Sequence, residues 1–97
     1  MDRMEPIHGN LLDEDGGKVL LDPVDGYLGW HPRPHGGKTY FGYFVVPPEK
    51  TKGLDQNAPY RLVLDDGRIG EIYADVRPCQ QAGTMVAEFH VMGNLHR

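Results

Sequence analysis

Apolar and polar positions alternate with a period of two through the second half of the chain. In Tyr60–Asp65 the apolar residues Tyr60, Leu62 and Leu64 share one parity, while Arg61 and Asp65 take the other. Ile72, Ala74 and Val76 alternate with Glu71, Tyr73 and Asp75. In Thr84–Met92 the residues Met85, Ala87, Phe89 and Val91 form one face, and Thr84, Glu88 and His90 the other. Successive strand side chains point to opposite faces, so each run predicts a strand with one buried side.

Asp66-Gly67 lies between two of these runs and predicts a hairpin with a type I′ turn. Ile69 falls on the opposite parity to Ile72, and a bulge near Gly70 would bring both onto one face. Earlier candidate strands are His8–Leu12, Lys18–Asp22 (ended by Pro23), Gly26–His31 and Thr39–Val46. The last is rich in β-formers and apolar on both faces, which suits a central strand. Two loops separate elements: Pro32–Lys38, rich in Pro and Gly, and Pro47–Pro59, long for so small a domain.

Composition strengthens the β reading. The 97 residues include 13 Gly and 8 Pro, and the longest run free of both is Thr84–Met92. That run is shorter than an average helix of about 11–12 residues. The fold class expected is all-β: a small single-domain barrel or compact sandwich of about six short, mostly antiparallel strands. Residues 1–6 are expected to form a flexible N-terminus, and residues 7–97 a single β domain.

Charge narrows the partners. The net charge is −4, and seven acids (Asp2, Glu5, Asp13, Glu14, Asp15, Asp22 and Asp25) crowd the first quarter against Arg3 and Lys18. A nucleic-acid binder needs a strong basic field, so this balance argues against nucleic acid. No apolar run approaches the roughly 18 residues of a membrane span. The N-terminus has no secretory pattern. Cys79 is the only cysteine, which excludes an intrachain disulfide and suits a reducing compartment. A soluble cytoplasmic protein without cofactors is expected.

Candidate chemistry is sparse. His31 and His35 are four apart, but Pro32 and Pro34 exclude the helix that would aim both at one ion, so no metal site is assigned. Gly36-Gly37-Lys38-Thr39 matches the end of a phosphate-binding loop, yet Pro32 stands where that pattern needs Gly, and a strand follows rather than a helix. Asp13-Glu14-Asp15-Gly16 lacks calcium-loop spacing and reads as a solvated turn. Nothing near Cys79 specifies a nucleophile, and no triad or carboxylate pair has diagnostic spacing, so no catalytic residue is assigned.

The remaining signal is aromatic. Trp30, Tyr40, Phe41, Tyr43 and Phe44 crowd together beside Arg33 and Lys38. Alternation places Tyr40 and Phe44 on one face, and Phe41 and Tyr43 on the other. One face is core; the other, if exposed, suits a protein partner. Trp30, Arg33, Tyr40 and Tyr43 are therefore the candidate partner-binding residues of a non-enzymatic interaction module. Its partner is another protein or a second copy of the chain. A single-stranded nucleic-acid-binding barrel and a small-ligand or metal-binding domain are the alternatives.

Overall fold

A computed structural model describes residues 3–54, 58–78 and 85–96. Cys79, Thr84 and part of the Pro47–Pro59 loop lie outside the described residues. Among the described residues the chain forms strands β1 (Arg3–Leu12), β2 (Val19–Pro32), β3 (Lys38–Val46), β4 (Ala58–Leu64), β5 (Ile69–Pro78) and β6 (Met85–His96). They close into an antiparallel barrel in the order β1-β2-β3-β6-β5-β4. A 3-10 helix, Pro48–Gly53, opens the long connection from β3 to β4. Leu54, just after it, returns to the core. No helix among the described residues is long and apolar enough to cross a membrane.

The inward faces are those the alternation predicts. Tyr60, Leu62 and Leu64 of β4, Ile72, Ala74 and Val76 of β5, and Ala87, Phe89 and Val91 of β6 are buried. Ile7, Leu11, Leu21, Val24, Leu28, Phe44 and Val46 complete the interior from β1, β2 and β3. The Phe44 and Phe89 rings meet at 5.8 Å between centroids. Among the described residues no polar or charged side chain is buried. The barrel is a packed apolar core rather than a ligand channel.

Four local expectations are corrected. First, β1 begins at Arg3 rather than His8, because Arg3–His8 pair with Asp25–Trp30 of β2.

Second, the candidate strands Lys18–Asp22 and Gly26–His31 are parts of one strand, which begins at Val19. β2 runs through Pro23, whose bond to Asp22 is cis. Its pairing with β1 shifts from Gly9↔Val24 to Leu11↔Leu21, so three steps on β2 oppose two on β1. The extra residue resets the alternation and lets both Leu21 and Val24 face inward. A bulge also tolerates a residue without an N–H, which is why Pro23 does not end the strand.

Third, the β4–β5 turn is a three-residue loop, not a two-residue type I′ turn. Leu64 N–H donates to Arg68 O (2.8 Å) and Gly67 N–H to Leu64 O (3.0 Å), with Gly67 at φ 95°. That is the longer hairpin in which glycine takes the left-handed position after the turn.

Fourth, the bulge near Gly70 lies on β6. β5 stays in register with β4 through Leu62↔Gly70 and Val63↔Ile69. Against β6 the pairing jumps from Glu71↔Met92 to Ile69↔His96. Gly93, at φ 79°, lies in the extra length, and Leu95 packs over Gly70. Ile69 therefore keeps its outward parity.

Candidate functional site

The β2–β3 hairpin carries the aromatic cluster, and its alternation divides that cluster in two. Trp30 and Tyr40 are cross-strand partners and continue the inward rows of Leu28 on β2 and Gly42 on β3. They stand past the last packed layer, half-buried, at one mouth of the barrel. Phe41 and Tyr43 point outward, as do Tyr27 and His31 on β2.

At the mouth, a cavity of 370 Å³ is lined by Leu28, Trp30, Lys38, Tyr40 and Arg68, with Met4 and Glu5 at its side. The Lys38 ammonium lies 4.2 Å from the centre of the Trp30 ring, a cation–π contact. Across the cavity, Arg68 Nη2 is 2.8 Å from both Glu5 Oε1 and Asp66 Oδ2, and its Nε donates to Asp66 Oδ2 at 2.9 Å. The Asp66 hydrogen bond, with Glu5 adding to it, raises the Arg68 guanidinium above its ordinary value despite some desolvation. Arg68 is thus charged at any working pH. It ties β1 to the β4–β5 turn, beyond the point where their ladder ends.

On the outer wall, Tyr27 and Tyr43 are paired residues with rings 5.6 Å apart. Tyr27 is 42% exposed, Tyr43 40% and Val45 44%. With Pro6, His8, Asp25 and Gly26 they line a shallow depression of 300 Å³. One outward row runs Met4, Gly29, Phe41, His90 and Tyr73 through successive strand pairs. His31 stacks on Phe41 at 5.5 Å and His90 lies 6.2 Å from Tyr73. His8 Nδ1 lies 2.8 Å from Asp25 Oδ1, and Arg77 pairs with Glu88 at 3.6 Å. These exposed pairs contribute at most about 1 kcal/mol each.

No family model, no curated protein and no solved structure matches the chain.

Of the candidate residues, the fold brings Trp30 and Tyr40 together and sends Tyr43 to the outer wall. Arg33 joins neither group. It sits in the exposed loop after β2, where its Nε donates to Thr39 Oγ1 at 3.1 Å and its backbone N–H to Gly37 O. His35 lies in the same exposed loop, apart from the stacked His31 and His90. Among the described residues no three His, Cys, Asp or Glu side chains gather in metal-binding range. Gly36 and Gly37 close the hairpin at positive φ, and Lys38-Thr39 start β3, so these residues make a strand entry. Asp13 caps its own turn by accepting from the Gly17 N–H at 2.9 Å.

Tyr27, Glu5 and Arg68 were absent from the sequence candidates. The alternation of Tyr27 with Leu28 and Trp30 was a usable signal. For Glu5 and Arg68 there was none, since the turn and β1 meet only when the barrel closes.

Proposed function

We propose that the chain is a non-enzymatic protein-interaction module that docks another protein on the outer wall of β1, β2 and β3. The observation that carries this reading is the exposed grouping of Tyr27, Tyr43 and Val45. The barrel interior is already filled from the inward positions, so these side chains add nothing to the core. Clustered exposed tyrosines with an aliphatic neighbour are what a protein interface uses as anchors. A closed sheet favours recognition through side chains over strand addition. The same tyrosines can stack bases, but Asp25 and Glu88 flank them, which weakens a nucleic-acid reading. The lone Cys79 suits a reducing compartment, and we place the module, soluble, in the cytoplasm.

A photo-crosslinking amino acid at position 43 tests the reading in host lysate, with position 14 as an exposed control. One dominant adduct at 43, missing at 14 and lost in the Val45→Glu background, is the expected result. Equal adduct patterns at both positions would overturn it. Val45→Glu should leave the melting temperature within about 2 °C, because an exposed substitution changes stability little. Sedimentation of the wild type, concentrated and dilute, shows whether the partner is a second copy.

A further inference from the structure

We propose that the mouth cavity is a separate binding site for a small planar aromatic acid. The acid's ring lies against Trp30 and Tyr40 over Leu28, and its carboxylate meets Lys38. This goes beyond the docking reading and uses none of the outer-wall residues.

Shape comes first. Trp30 and Tyr40 occupy inward positions, yet they stand only half-buried beside 370 Å³ of open volume, Tyr40 packing on the core from its edge. That volume falls within the range of small-molecule pockets. The floor is Leu28, already buried, and the apolar surface that a ligand ring covers is what Trp30 and Tyr40 leave open above it. The two aromatic side chains come from paired positions on adjacent strands. A rigid hairpin therefore presets their spacing, which lowers the ordering cost of binding.

Charge then selects the ligand. Glu5 and Asp66 both face Arg68 at 2.8 Å, so the acids beside the cavity already have a cation. The contact that the structure gives Lys38 is the Trp30 ring. An incoming carboxylate can take the Lys38 ammonium without breaking an ion pair, and the vacated ring face accepts the ligand's ring. A cationic ligand would also move Lys38 off Trp30 but would repel it, and it finds Glu5 and Asp66 already held by Arg68. A neutral aromatic gains the ring contacts alone. The site is therefore selective for anions, with Lys38 as the discriminating group and Trp30 and Tyr40 as the platform.

Trp30 is the only tryptophan, so the indole N–H gives a single resonance that reports on this cavity. The probes are 2-naphthoate, 2-naphthylmethanol and 2-naphthylmethylammonium, titrated into labelled full-length protein. 2-Naphthoate should shift the indole resonance saturably and bind about tenfold tighter than the alcohol, the ammonium binding weakest. Lys38→Met should bring the acid to the alcohol's affinity and leave the alcohol unchanged. Val45→Glu should leave all three titrations unchanged, so failure here is distinct from failure of the docking reading. The proposal is overturned if the indole resonance does not move, if acid and alcohol bind equally to the wild type, or if Lys38→Met keeps the acid preference. Shifts confined to Tyr27 and Tyr43 would overturn it as well.

Discussion

Phe89 and Gly67 show how differently single residues come to matter. Phe89 is 3% exposed, pairs with Gly42 and Ala74, and packs its ring on Phe44. Its role was legible, because alternation through Thr84–Met92 puts it on the apolar face. Phe89→Ala should cost about 3–5 kcal/mol of stability, read as a fall in the urea midpoint; a neutral result would place the ring outside the core. The small size of its neighbour Gly42 was not legible. A Cβ there would strike the Tyr27 carbonyl oxygen and crowd the Phe89 ring, and both contacts arise only in the folded barrel. Gly67 acts through backbone conformation. At φ 95° a β-branched side chain is strained, so Gly67→Val should lower stability by about 1 kcal/mol or more. An unchanged midpoint would mean the turn can relax without loss.

Strands were read well by their faces and less well by their ends. Pro23 looks like a terminator, yet β2 passes through it because a bulge against β1 absorbs the extra residue. The expected bulge at Gly70 was right in place along the barrel and wrong in strand: the extra length lies in β6, beside Gly93. An insertion in β6 leaves the β5 alternation untouched, so Ile69 stays outward and its odd parity was not the sign of a bulge in its own strand. Leu95 is the side chain that this bulge lays over Gly70. It is half-buried, so Leu95→Ala should cost about 1–2 kcal/mol, less than the range for fully buried leucines. A loss below a few tenths of a kcal/mol on thermal denaturation would show that the β6 extension is not part of the packed mouth.

At the scale of the molecule, closure is uneven. β5 and β6 pair along almost their whole length, whereas β1 and β4 share only the stretch from Gly9↔Leu64 to Leu12↔Arg61. Beyond it, the Asp65 N–H donates to His8 O at 2.9 Å, and Arg68 bridges to Glu5. Alternation turns the Pro6 backbone toward the same seam as His8, and a proline there has no N–H to leave unmade. Local opening should start at this shortest ladder. Hydrogen exchange is expected to release the Asp65 amide well before the amides of Phe44 and Ala87. Equal rates at all three would mean that the barrel opens only as a whole.

Local physical chemistry determined that this protein is all-β and which faces of β4, β5 and β6 are buried. Gly and Pro spacing leaves no room for an ordinary helix, and a period of two needs only neighbours in sequence to be read. The same spacing announced the β4–β5 hairpin. Tertiary structure alone decided that β1 closes on β4 and β3 on β6, that Tyr43 faces outward beside Tyr27, and that Glu5, Lys38 and Arg68 surround one cavity with Trp30. These are meetings of residues far apart in the chain. They depend on register, bulges and the curvature of the closed sheet, which no single segment encodes and which the packing of the whole core selects.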